Sequence, residues 1–418
     1  MCQIGWGTRC KFGAYYHDRE RIKRWPDKST VMARQPDVVL VRYGEIFLKG
    51  PQVREGLESL LASQISRCLE RVGITHKVKR MRGRMVVKTP DPRGACEAVR
   101  NIFGIVSVSP SFTVEKALAD IAACAVEIAR ASIAEGETFA IDANRADKTF
   151  PLTSQDINST VGESVRVATD ATVDLGDPDL TIGIDIRDDA YLYIEVVDGP
   201  GGLPLGTSGR GLCLFSGGID SPVACYLMMK RGCEQELLYF DNQPFADSTT
   251  LDRAVSVARR LRAHSCSSHI KMLVAPHGHS LEDITRQAPR GLTCTLCKRM
   301  MVRVADAVAS ERGLDVIING SSLSQVCSQT MPNLKLTILA SRTPVLMPLI
   351  SFDKEEIVAI SRRIGTFDAS IAPATECSAV PDQPRTKPTL AEVMDAESKI
   401  DVNGLVGTTL DGIREIEL

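Results

Sequence analysis

Gly211-Leu212-Cys213-Leu214-Phe215-Ser216-Gly217-Gly218-Ile219-Asp220-Ser221-Pro222 is the stretch on which the fold turns. Its apolar run reads as a strand ending at Phe215, and Pro222 stands where a helix begins. Between them, Ser216 to Ser221 forms a loop built for an anion. Adjacent glycines let backbone N–H groups turn toward a phosphate, the serines add hydroxyls, and a helix N-terminus carries partial positive charge. No G-x-x-x-x-G-K-[ST] sequence occurs, and no G-x-G-x-x-G follows a strand, so the nucleoside-triphosphate and dinucleotide loops of those types are excluded.

Downstream, apolar runs (Glu236 to Asp241, His269 to Val274, Asp315 to Asn319, Pro344 to Leu349) alternate with helical stretches (Leu251 to His264, Arg299 to Arg312, Lys354 to Ile364). Near-continuous apolar strands separated by helices predict a doubly wound parallel sheet that binds ligands beyond its strand ends. Upstream, Gly199-Pro200-Gly201-Gly202-Leu203-Pro204 reads as a linker. Residues 110–198 form an α+β segment with helices at Lys116 to Glu135 and Ser154 to Thr169, a strand at Thr138 to Ala143, and a hairpin turning at Arg187 to Asp189. Before it, a β-α-β pattern starts at Asp37: strand Val38 to Val41, helix Arg54 to Val72, and a strand-like run His76 to Lys88. That run carries Lys77, Lys79, Arg80, Arg82, Arg84 and Lys88 without an acid, which suits the phosphates of a polyanion or simply a solvated sheet face.

The chain has 418 residues, room for two to four domains. Its 50 Lys+Arg and 52 Asp+Glu nearly cancel, which excludes disordered polyelectrolytes but leaves a local basic face open. No apolar stretch is long enough to span a membrane, and no secretory leader is evident. The 13 cysteines are odd in number and scattered, which points to a reducing, cytoplasmic setting. Cys68, Cys96, Cys124, Cys213, Cys225 and Cys233 read as small buried hydrophobes. Residues 1–31 hold both tryptophans and seven Lys/Arg against three acids, and read as a flexible extension or as the product of a start assigned too early, with Met32 the true start.

Together the motifs carry a resemblance. Ser216 to Ser221 resembles the loop of the PP-loop ATP pyrophosphatases, which cleave ATP between the α and β phosphates and place AMP on a substrate oxygen. Arg42 to Gly50, Gly201 to Pro204 before Gly206 to Gly209, Pro222 to Ala224, Lys298 to Met301 and Ser328 to Thr330 look like the tRNA 4-thiouridine synthetase (ThiI) family, over residues 38 to about 385. That resemblance implies an extension (1–36), a ferredoxin-like domain (37–109), a THUMP RNA-binding domain (110–198), a PP-loop domain (199–385) and a C-terminal tail (386–418). It implies adenylation of O4 of uridine 8 in tRNA, with Asp220, Lys298 and Cys377 in catalysis and Mg2+ beside Asp220. ATP would be lined by Leu214, Phe215, Ser216, Gly217, Gly218, Asp220, Ser221, Tyr239, Phe240, Lys298, Gly320 and Gln329. Arg145 and Lys148 are weaker RNA contacts than the basic run. The resemblance also implies a homodimer.

Cys294-Thr295-Leu296-Cys297 places two thiols at metal-ligand spacing, and Cys377 matches the family position that handles transferred sulfur. A 4Fe-4S cluster on Cys294, Cys297 and Cys377 would leave one iron open for sulfide. A zinc site completed by Cys266, His264 or Cys327, and a redox dithiol with Cys377 as persulfide carrier, are the alternatives. Cys327 alone reads as a buried small residue. Many bacterial relatives append a rhodanese-like domain; here no cysteine follows Cys377, which favours the cluster and leaves the sulfur to come from sulfide or a cysteine desulfurase persulfide. Other readings are a PP-loop amide ligase acting on a small metabolite and a non-catalytic, cluster-bearing RNA-binding protein.

Overall fold

The computed structural model describes residues 34–265 and 270–418, so the reading of residues 1–31 and the candidate ligand Cys266 lie outside the described residues. Two compact units result. The larger joins Val38–Val108 to Asp198–Leu418; the smaller contains Ser109–Val197 with residues 34–37.

The larger unit opens with β1 (Val38–Tyr43), α1 (Pro51–Arg71), β2 (Lys77–Met81), β3 (Arg84–Lys88), α2 (Pro92–Val99) and β4 (Ile105–Val114), with β1 between β3 and β4. Leu61, Ile65, Cys68 and Leu69 form the buried face of α1, as their helical spacing requires. The run His76 to Lys88, expected as one strand, is a hairpin. Gly83 takes φ +76° and turns the chain, so Lys77 faces Lys88 across the ladder. β4 passes from the larger unit into the smaller.

In the smaller unit, β4, α3 (Leu118–Ser132), β5 (Thr138–Arg145), α4 (Ser154–Thr169), β6 (Thr172–Val173), β7 (Leu180–Ile186) and β8 (Ala190–Tyr193) give a sheet in the order β4-β8-β7-β5-β6. Thr153 and Asp156 form a capping box that fixes the start of α4. Ile121, Ile128, Phe139, Ile157, Val161, Ile182 and Leu192 are the core. β9 (Val197–Asp198) then runs beside β4.

The remainder of the larger unit contains β10 (Arg210–Leu214), α5 (Asp220–Lys230), β11 (Glu234–Asp241), α6 (Thr249–Arg262), β12 (Lys271–Pro276), α7 (Gly278–Gln287), α8 (Thr293–Arg312), β13 (Val316–Ile318), α9 (Met331–Ile338), β14 (Val345–Leu346), α10 (Lys354–Arg363), α11 (Phe367–Ser370), α12 (Leu390–Glu397), α13 (Val402–Asp411) and β15 (Arg414–Glu417). The strand order is β14-β13-β10-β11-β12-β15, parallel except for β15. Helices α5, α6 and α10 pack on one face and α8 and α13 on the other. β10 lies between β11 and β13, so the chain changes direction across the sheet at β10, and the loop after it opens at this switch point. No helix among the described residues is long and apolar enough to cross a membrane.

Three expectations are corrected. The Gly199 to Pro204 linker is a packed junction: Gly201 N donates to Ile105 O (2.7 Å) and Leu203 N to Lys230 O (3.0 Å). Gly202 has φ +77°, and a Cβ there would stand 2.0 Å from Lys230 O, so only glycine fits. Cys213 and Cys225, expected as inert thiols, are joined by a disulfide because α5 lies over β10 with their Cα atoms 6.2 Å apart. Cys68 is also disulfide-bonded, whereas Cys96, Cys124 and Cys233 are buried as expected, Cys124 and Cys233 as free thiols.

The segment after 385, expected as a tail, folds. β15 pairs with β12, and the buried Glu397 of α12 binds Arg299 through Nε (2.7 Å) and Nη2 (2.9 Å) and Arg303 through Nη1 (2.6 Å) and Nη2 (2.8 Å). Burial pushes the Glu397 carboxyl up, but the Arg303 and Arg299 guanidiniums outweigh it and hold the pKa at about 2. Glu397→Ala strands a buried arginine and is expected to cost about 3–5 kcal/mol in urea unfolding. Because the folded-state pKa lies below the unfolded value of 4.5, this stabilisation is complete above about pH 4.5 and lost as pH falls toward 2, so Glu397→Gln should flatten the acid limb of stability against pH.

Candidate active site

The loop after β10 closes on itself. Ser216 N donates to Ser221 Oγ (2.9 Å), Ser221 Oγ donates back to Ser216 O (3.0 Å), and Gly218 N donates to Ser216 Oγ (3.3 Å). Helix α5 starts at Asp220 rather than at Pro222, so Asp220 sits in its first turn. Gly320, two residues beyond β13, backs this turn: a Cβ there would be 3.0 Å from Ser221 N and Cα. A side chain at 320 would push the loop out of shape, which explains a glycine far away in sequence.

Lys354, at the start of α10, donates from Nζ to Asp220 Oδ1 at 2.6 Å, and sequence reading missed it. The available signal was its place just after the Pro344 to Leu349 run, inside the Asp353/Glu356 capping box. Lys298 is largely withdrawn from solvent and donates to Ser328 Oγ at 2.7 Å; burial holds its pKa below the usual lysine value. It lies in the second turn of α8 rather than at its start. Gln329, in the one-turn helix Cys327–Gln329, is buried and its Oε1 has no partner, leaving an acceptor for a ligand donor. Leu214 is half-buried and Phe215 buried. The rings of Tyr239 and Phe240 are core aromatics: Tyr239 OH donates to Thr250 Oγ1 (2.8 Å), and Phe240 meets His277 edge-on at 5.4 Å. They leave backbone, rather than open ring faces, at the end of β11.

Cys294 and Cys297 are the second and fifth residues of α8, three apart and so on one face. Burial is the main cause raising the Cys294 and Cys297 pKa values; the charge of Cys377 acts on both and that of Cys327 on Cys294. The three candidate ligands thus share one neighbourhood. Yet among the described residues no three His, Cys, Asp or Glu side chains stand close enough to hold a metal ion. His264, a proposed zinc ligand, is placed elsewhere: its Nε2 is 3.1 Å from Ile364 O and its ring packs on Tyr226 and Phe103. Cys327 is exposed, against expectation. His277, not singled out from the sequence, is fully buried with Nε2 3.4 Å from Cys297 Sγ; burial, then the charge of His279, lowers its pKa to about 3, so it is neutral. Cys377 lies in a segment tied to the β11–α6 loop by Ser378 N→Phe245 O (2.9 Å) and Asp247 N→Thr375 Oγ1 (3.0 Å).

In the larger unit, Lys77, Lys79, Arg80, Arg82 and Lys88 are exposed on or beside the edge hairpin, and Arg84 is half-buried. Arg80 is engaged by Ser59. Charges on an edge strand also prevent sheet-to-sheet pairing, a structural role independent of RNA. In the smaller unit, Arg145 ends β5, not a loop, and its Nη1 donates to Phe150 O (2.8 Å), while Lys148 is exposed.

Residues 38–109 match the ThiI ferredoxin-like domain, residues 115–195 the THUMP domain, and residues 206–402 the family described as Thiamine biosynthesis protein (ThiI). A probable tRNA sulfurtransferase of Methanosarcina acetivorans is 40% identical over 391 residues, covering 92% of this chain and 94% of that one. One of Streptococcus suis is 38% identical over 385 residues, covering 91% and 94%. Among solved structures, a 4-thiouridine synthetase crystallised with RNA and ATP superposes with TM-score 0.82 at 28% identity, over 91% of this chain and 99% of the other.

Proposed function

The chain belongs to the ThiI family of tRNA sulfurtransferases, and from that premise we propose that it makes 4-thiouridine at uridine 8 of tRNA, using ATP to activate the base. The observation that carries the reading is the construction of α8: its first five residues present the two thiols and the next is the half-buried cation Lys298. Base activation and sulfur delivery are thereby drawn from one helix end.

The uracil O4 leaves poorly, so it must first be esterified. O4 attacks the α-phosphorus of ATP, the bond from that phosphorus to the α–β bridging oxygen breaks, and pyrophosphate departs. Loop N–H groups from Ser216 to Ser221 and the start of α5 hold the departing charge. Lys298, held ready by Ser328, faces charge that develops on phosphoryl oxygens. Gln329 Oε1 is free to accept from an adenine amino group, with Leu214, Phe215, Tyr239, Phe240 and Gly320 shaping the nucleotide site. Asp220 is a single carboxylate, which with substrate phosphates is a donor set that Mg2+ accepts; when bound, the ion would neutralise phosphate charge. A sulfur nucleophile then adds at C4 and AMP leaves. A 4Fe-4S cluster on Cys294, Cys297 and Cys377 would, when bound, carry that sulfur at an iron the protein does not ligate. Sulfide supplies it directly, or a desulfurase persulfide does so once a thiol has cleaved its S–S bond, forming a disulfide and releasing sulfide; tRNA rests on the basic hairpin with Arg145 and Lys148 as further contacts, and the working form is a homodimer.

The test is product analysis with and without tRNA. AMP and pyrophosphate should form in step with 4-thiouridine and only when tRNA is present. ATP cleavage that ignores tRNA, with a small amine consumed instead, would move the protein to the amide ligases; no ATP cleavage under any condition would leave an RNA-binding protein without catalysis.

A further inference from the structure

Arg253, in the second turn of α6, lies directly against the phosphate loop. A Cβ at Gly217 would come within 2.9 Å of Arg253 Nε and 3.0 Å of Ala254 N, so the guanidinium stem and the loop backbone are in contact through a position that only glycine leaves open. Arg253 Nη1 donates to Ala372 O at 3.3 Å, five residues before Cys377. Arg253 Nε is buried and has no acceptor. A buried charged donor left unmatched costs more than a neutral one, and such groups in native proteins are nearly always paired, so an acceptor is missing from this side of the loop. No carboxylate among the described residues forms an ion pair with Arg253; Asp220, the acid of the loop, is held by Lys354.

A planar guanidinium beside the Ser216 to Ser221 loop and the start of α5 suits a diphosphate, whose oxygens can take the fork together with the N–H groups of Gly217 and of the helix start, which no serine of the loop occupies. We propose that Arg253 binds the β,γ-diphosphate of ATP, and the pyrophosphate cleaved from it, against Ser216 to Ser221. This rests on the reading of the site as one that binds ATP. Through Nη1 the same side chain anchors the segment leading to Cys377, so an occupied loop and an ordered sulfur-handling segment would share one residue. Nothing in the hexamer Ser216 to Ser221 or in the family motifs quoted from the sequence points to it.

The test compares ligands that differ only in phosphate number. With the full-length protein, Arg253→Met is expected to weaken ATP binding and competitive inhibition by pyrophosphate about tenfold or more, the size of a lost charge-assisted contact, while AMP and adenosine change by less than about twofold. Arg253→Lys, which keeps the charge and loses the fork, should fall between. Equal losses for ATP, AMP and adenosine would mean that Arg253 only packs the loop, and unchanged ATP and pyrophosphate affinity would mean it does neither; both overturn the proposal. Should Arg253→Met fail to fold, Arg253→Gln and Arg253→Lys are scored by the same ratios. Wild-type protein that binds ATP but releases ADP would refute the cleavage reading while leaving the affinity ratios to decide on Arg253. Wild-type protein that binds neither ATP nor pyrophosphate would sink both.

Discussion

Asp220→Ala is expected to reduce tRNA-dependent AMP formation by about 10²–10³-fold, with tRNA affinity changed by less than about threefold. Asp220 occupies the first turn of α5, where the helix dipole and loop N–H groups already favour anions, so its negative charge serves something other than phosphate binding. What it does hold is Lys354, at 2.6 Å across 134 residues of sequence. The pair is partly exposed, with side-chain exposures of 25% for Asp220 and 48% for Lys354, so it adds little to stability, and the variant should unfold at nearly the wild-type urea midpoint. A loss of rate without a loss of stability is the signature of a group aimed at reacting phosphates. Lys354→Met is expected to fall in the same range, and the double variant to be little worse than either single one, since both act through one unit. AMP release, a tRNA gel shift and a urea melt on the same preparations decide it. Activity within tenfold of wild type in Asp220→Ala would remove Asp220 from the mechanism.

The reach of sequence reading follows the range of the contacts involved. The phosphate loop was legible because strand, glycines and helix start are contiguous, and β10 and α5 form within two residues of where those signals put them. Ser154 to Thr169 was legible for a like reason, with a local capping box at its start and an apolar stripe along it. Lys354 was not, since a lysine at a helix start has no local mark of the aspartate it will meet. Nor was β15: three of its four residues are exposed and it is itself the edge strand, so neither alternation nor an apolar run announces it. Glu397 and Arg299 are two charges that look solvent-bound until the fold buries them together. The hairpin at Arg82-Gly83 was missed because a two-residue turn between basic residues interrupts no apolar pattern. Tyr239 and Phe240 show the reverse case, since position at a strand end placed them beside a ligand whereas their rings went to the core.

The cysteine trio should separate the two half-reactions. Cys294→Ala, Cys297→Ala and Cys377→Ala are each expected to lower 4-thiouridine formation by about 10³-fold or more while tRNA-dependent AMP formation stays within about threefold of wild type. Adenylation needs the loop, Asp220 and Lys298, and none of these is held in place by a thiol: Lys298 is fixed through Ser328 and the loop through its own serines. Anaerobic purification should give a coloured protein with close to four irons per chain, and each single variant should lose most of the iron, because removing one of three protein ligands leaves two, too few for a stable site. The thiol environment sharpens the expectation. Burial keeps Cys294 and Cys297 protonated in the protein alone, so loading must expel those protons and iron uptake should strengthen as pH rises. Zinc would appear instead as a colourless, metal-loaded protein. A colourless, metal-free protein that thiolates tRNA from persulfide, and fails in Cys377→Ala and in one of Cys294→Ala or Cys297→Ala, would replace the cluster with a dithiol in which Cys377 carries the sulfur and the second thiol cleaves its S–S bond, leaving a disulfide.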